Sequence, residues 1–84
     1  MELDQIDRLI AARKKIGSGA TARQLREAAG FTQADLAAEL GITASAVSRM
    51  ESGLRMPRPA TLIRWADALQ RMEERLQSSI GSVA

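Results

Sequence analysis

The chain of 84 residues contains no cysteine and no histidine. Without cysteine there are neither disulfides nor thiolate metal sites, which suits a reducing compartment. Without histidine, acid–base catalysis and transition-metal binding lose their commonest side chain. The carboxylates are not clustered, so no catalytic role, cofactor or metal is expected. Tyrosine is absent, and Phe31 and Trp65 alone give no stacking platform for single-stranded nucleic acid. No apolar run approaches the length of a membrane span, and the acidic start does not resemble a secretion signal. A cytoplasmic location is therefore expected. Strong charge of one sign is missing too. Twelve Lys and Arg against ten Asp and Glu leave a net +2, which neither requires nor excludes a nucleic-acid partner.

What the sequence does contain is a dense pattern between Gln33 and Ser52. Leu36, Ala37 and Leu40 fall on one helical stripe, Val47 and Met50 on a second, with Ile42 between. Gly41 stands where the first helix must end, since a sharp reversal calls for a left-handed residue. Thr43 can cap the second helix and Gly53 can terminate it. Small Ala37 on the inner face lets the two helices cross closely. This spacing predicts a helix-turn-helix. On the second helix Ala44, Ser45, Ser48, Arg49 and Ser52 share one arc, opposite Ala46, Val47 and Met50. A small, polar arc with one long cation fits a major groove, where an arginine fork can meet a guanine edge.

The flanking segments read as support. Leu3 to Lys15 is expected to be a helix with Leu3, Ile6, Leu9, Ile10 and Ile16 as its apolar stripe. Arg13, Lys14 and Lys15 form either a solvated last turn that suits the helix dipole or a phosphate-contacting patch. Gly17-Ser18-Gly19 reads as a short flexible connector. Thr21 with Gln24 resembles a capping box opening the next helix, whose Leu25 and Ala28 face inward before Gly30 ends it. Phe31 is assigned to the core, and Thr32 caps the helix that starts at Gln33, with Asp35 in its first turn. Beyond a loop holding Pro57, Arg55 and Arg58, Pro59 opens a long last helix. Leu62, Ala66, Leu69, Met72, Leu76 and Ile80 form its stripe. Trp65 is expected as a partly exposed anchor and Gly81 as the point of fraying. Met50, Met56 and Met72 are read as packing residues.

Residues 22–69, with LREAAGFTQADLA, LGIT, VSRMESG and the proline-led last helix, resemble the phage lambda repressor and Cro family, also called the xenobiotic-response-element family. The resemblance implies an all-α fold: a compact five-helix, lambda-repressor-like helix-turn-helix domain with an extra N-terminal helix and an extended C-terminal helix. Residues 1–20 would be the amphipathic helix and connector, and residues 21–84 the DNA-binding domain. It further implies base contacts from Ala44, Ser45, Ser48 and Arg49, and phosphate contacts from Gln33, Thr43, Ser52, Arg55 and Arg58. Gln33 would also brace the start of the recognition helix, and Arg26 and Glu51 would form a structural ion pair. Ala44 departs from the family where a long amide often reads a base, and Leu54 replaces a commonly basic residue. As residues alone, Ser45 and Ser48 could equally be solvated serines.

These implications converge on a sequence-specific binder of double-stranded DNA. It would be a nucleoid-associated regulator of phage or mobile-element type, repressing by occupying a palindromic operator as a homodimer. One arginine per recognition helix reads few bases, and a two-fold dimer doubles the contacts; one or both terminal helices would supply its interface. Two other readings stand beside this one. An antitoxin would share the DNA-binding domain and bind a toxin, although little chain follows Leu76 to wrap one. A protein-interaction adaptor or inhibitor would suit the acidic Glu27, Asp35 and Glu39.

Overall fold

The computed structural model describes the backbone of residues 3–83 and the side chains of residues 4–78. Five α-helices follow one another: α1 Leu3–Ile16, α2 Ala20–Ala28, α3 Gln33–Leu40, α4 Ala44–Glu51 and α5 Pro59–Val83. No strand occurs among the described residues. The five include the N-terminal helix, and α5 runs unbroken through Gly81 instead of fraying there. The side chains of Leu3 and Ile80, placed on apolar stripes by the sequence, lie outside the described residues.

One core unites the helices. Ala12 and Ile16 of α1, Ala22 of α2, Leu36, Ala37 and Leu40 of α3, and Val47 and Met50 of α4 close around Leu62, Trp65, Leu69 and Met72 of α5. Burial of these apolar surfaces, at about 25 cal/mol per Å2, is the main force holding the short helices together. Phe31, Leu25 and Ile42 pack at its margin, half-buried. Trp65 is only 1% exposed, so it is a central residue and not the partly exposed anchor its indole suggested. Its Nε1 is buried without a partner.

The helix ends are set by local chemistry. Thr32 Oγ1 accepts from the Asp35 amide at 3.0 Å, and Asp35 Oδ2 accepts from the Thr32 amide at 2.8 Å. This reciprocal box satisfies two donors that the start of α3 would otherwise leave open. It also holds the Asp35 carboxyl below the usual aspartate range, first through the backbone amide of Thr32 and then through its hydroxyl. Gly41 closes α3 in the left-handed region at φ 67°, and Thr43 caps α4 by accepting from the Ala46 amide at 3.1 Å.

Two elements depart from expectation. Thr21 does not cap α2: the helix starts at Ala20 behind Gly19, with no side-chain cap. Gly19 is buried, has φ +86°, and lies so close to α4 that a Cβ would stand 2.8 Å from the Glu51 carbonyl oxygen. The Gly-Ser-Gly stretch is thus a packed corner at the end of α4 and not a flexible connector. In α2 the inward positions are Ala22, Leu25 and Arg26, with Ala29 half-buried just beyond its end, while Ala28 is exposed. α1 is also turned relative to its expected stripe. Leu9, Ala12 and Ile16 face the core, leaving Ile6 39% and Ile10 48% exposed.

Candidate nucleic-acid interface

The two arcs of α4 separate as the periodicity predicts. Ala46, Val47 and Met50 are buried, and Ala44, Ser45, Ser48, Arg49 and the capping Ser52 are exposed. Apart from Arg49, the outer arc bears nothing larger than a hydroxymethyl group. A helix with so slim a face can approach a groove floor closely, and B-DNA's major groove is wide enough to admit it.

What fixes α4 on its support is a buried charge pair. Arg26 Nε donates to Glu51 Oε2 at 2.7 Å and Nη2 donates to Glu51 Oε1 at 3.1 Å. The two side chains are 6% and 2% exposed. Arg26 Nη1 donates to the Phe31 carbonyl at 2.7 Å, and Gln33 Nε2 donates to Glu51 Oε1 at 3.1 Å. Four places in the chain (α2, the loop after it, the first residue of α3 and the last of α4) are tied together through this one pair. The hydrogen bond from Arg26 to Glu51 raises the guanidinium's pKa above its ordinary value, against the opposing effect of burial. Bidentate geometry and full hydrogen bonding are what make so buried a pair tolerable. Gln33 therefore braces the last turn of α4 instead of its first. One hydrogen of its amide remains available to an outside acceptor.

One carbonyl gathers three donors of the segment after α4. The Arg49 carbonyl accepts from the amides of Leu54 at 2.9 Å and Arg55 at 3.2 Å, and from Ser52 Oγ at 3.1 Å. The backbone of the central cation of α4 thus sets the start of the loop that carries Arg55 and Arg58. Both arginines are exposed. Met56 and Leu54 also project into solvent, so Met56 is not a packing residue, whereas Met50 and Met72 are.

Charge pairing sorts the cations into two groups. Ion pairs join Arg8 to Asp67, Lys15 to Glu73, Arg23 to Glu27, Arg26 to Glu51 and Arg71 to Glu39. Arg49, Arg55 and Arg58, like Arg13, Lys14, Arg64 and Arg75, take part in none of those found among the described residues. The acids that surround the motif are, by contrast, all engaged: Glu27 with Arg23, Glu39 with Arg71, and Asp35 in its capping box. No group of acidic residues suited to a metal ion occurs among the described residues, and no helix among them is long and apolar enough to cross a membrane.

Residues 23–76, from within α2 to beyond the middle of α5, match the family model described as helix-turn-helix, of the Cro/C1 type. No curated protein and no solved structure gives a significant match. The family is one of double-stranded-DNA-binding transcription regulators and not of enzymes. The match covers well over half of the chain and coincides with the helices that carry the buried pair and the open polar arc. The chain accordingly belongs to the Cro/C1-type helix-turn-helix family.

Proposed function

We propose that the protein is a sequence-specific repressor that occupies a palindromic operator as a homodimer, with α4 of each copy in a major groove. The observation that carries this reading is Arg49: an exposed cation with no ion-pair partner among the described residues on a helix face otherwise made of Ala and Ser. Its guanidinium would donate in bidentate fashion to guanine O6 and N7. Ala44, Ser45 and Ser48 would lie against neighbouring base edges, directly or through water. Phosphates would be held by Arg55, Arg58, Ser52, the free amide hydrogen of Gln33 and the hydroxyl proton of Thr43, which its capping role leaves unused.

The protein-adaptor reading drew on the acids around the motif, and their internal pairing reduces the negative surface available to such a partner. The antitoxin reading shares every DNA contact above and differs in requiring a toxin. Selection from a random duplex pool at about physiological salt, where non-specific binding is weak, tests the proposal. The expected result is a palindrome whose half-sites are centred about one helical turn apart. Failure of folded protein to enrich any sequence would contradict it.

A further inference from the structure

Two isoleucines on the open side of α1 remain partly exposed beside charges that have no partner among the described residues. Ile6 and Ile10, one turn apart, are 39% and 48% open to solvent and lie beside the core arc of Leu9, Ala12 and Ile16, on the side of the helix away from its pairs with α5. The charges of α1 divide the same way. Arg8 and Lys15, on the flank toward α5, pair with Asp67 and Glu73. Asp7, Arg13 and Lys14 are exposed and join no ion pair among the described residues.

Helical geometry turns this division into a self-complementary pattern. Asp7 and Lys14 are about two turns apart and fall on the same flank of the Ile6–Ile10 stripe, while Arg13 borders the other flank. Rotation about a two-fold axis passing close to Ile10 lays a second α1 antiparallel to the first. It brings Ile10 against Ile10 of the second copy and Ile6 against the aliphatic stem of the second copy's Arg13. Asp7 of each copy then faces Lys14 of the other. The basic last turn of one helix meets the acidic first turns of its mate, so charges and helix dipoles both favour the antiparallel arrangement. A parallel pairing would instead set like charges against like.

We infer that the outer face of α1, with Ile6 and Ile10 as its seam and Asp7 and Lys14 as reciprocal ion pairs, is the surface through which two copies of this chain dimerise. This rests on the homodimer reading above and assigns its interface to α1. An isologous contact of this kind needs each charge twice, once per copy. The pattern on α1 supplies that.

Asp7→Lys and Lys14→Asp, each in the full chain, test the assignment by sedimentation equilibrium. Each variant alone sets two like-charged pairs across the seam and is expected to dissociate at concentrations where the unaltered protein is dimeric. Mixed in equal amounts, the two restore both attractive pairs and are expected to form a heterodimer. Ile10→Glu is expected to weaken the dimer by about thirtyfold or more in Kd, with no rescue by mixing. All three positions are exposed, so each variant should keep the helix content of the unaltered protein, which far-ultraviolet circular dichroism checks, while any fall in its melting temperature should follow the loss of the dimer. If all variants stay as dimeric as the unaltered protein, α1 is not the interface, though the homodimer reading survives. If the unaltered protein is monomeric both free and on its selected operator, the homodimer reading itself fails, and this assignment with it.

Discussion

Arg26 and Arg49 belong to the same unit and carry the same charge, yet they occupy opposite physical situations. Arg26 is sealed in the core, with donors directed at the Glu51 carboxylate and the Phe31 carbonyl. Arg49 lies two residues before Glu51 on α4 and stands in solvent without an ion-pair partner among the described residues. The first cation has given up its water and cannot be lost cheaply. The second has kept its water and can exchange it for a ligand. Their difference teaches that α4 is built as a rigid inner edge for a free outer one. The charge inside fixes where the charge outside points.

The sharpest way to break this contrast is to remove the inner partner. Glu51→Ala leaves the Arg26 guanidinium buried and unpaired, and should cost about 3–5 kcal/mol of unfolding free energy in denaturant melts. Replacing both residues with apolar ones should cost much less than that, because no orphaned charge remains. A double variant as unstable as Glu51→Ala would show that the pair contributes through more than its mutual neutralisation.

Gly19→Ala attacks the same edge from outside the ion pair. It combines left-handed strain with a Cβ set 2.8 Å from the Glu51 carbonyl oxygen, and should cost about 3 kcal/mol. Gly41→Ala is the control. Its φ is also positive, but nothing lies within 4 Å of the added Cβ, so strain alone should cost about 1 kcal/mol. Equal losses at the two positions would remove the case for a packed corner at Gly19.

Arg58→Ala probes the outer group without touching the inner one. Stability should stay within about 0.5 kcal/mol of the parent. Binding should weaken alike for every DNA sequence, with the salt slope reduced by about 1. Unequal losses among sequences would assign Arg58 to base reading instead.

The smallest effect concerns Asp35. Its folded carboxyl binds a proton less readily than the unfolded one, so the capping box contributes fully above the ordinary aspartate range. That contribution is lost as pH falls through the lowered value. Asp35→Asn should flatten this acid limb of the stability profile by a small amount, measured as melting temperature against pH. An unchanged limb would mean that the acid dependence arises from other carboxylates.

Legibility followed the kind of interaction involved. Thr32, Gly41 and Thr43 act on their own neighbours in the chain, so the sequence pattern located both helices of the motif and both faces of α4. Arg26 and Glu51 were paired through family resemblance, since nothing in their spacing joins residues so far apart. The corner at Gly19 was misread because a glycine packed against a distant carbonyl looks, in sequence, like a flexible one. The orientation of α1 was misread for a related reason. Leu9 and Ile10 are adjacent apolar residues, and which of them faces inward depends on the surface that α5 presents. The same limit applies to Trp65, whose indole suggested a partly wet site while packing closed over it. Met56 erred in the other direction, since a methionine in sequence carries no sign of whether anything will cover it.

The central claim, that the inner arginine holds the helix and the outer one reads a base, is tested most directly by measuring the base preference of Arg49→Ala. Its affinities for the selected operator and for every single-base variant of one half-site would be compared with those of the unaltered protein. The account predicts that Arg49→Ala folds with unchanged stability and loses discrimination at one base pair per half-site, worth about 1–3 kcal/mol. Discrimination at the other positions should persist. Full retention of preference at every position would contradict the account.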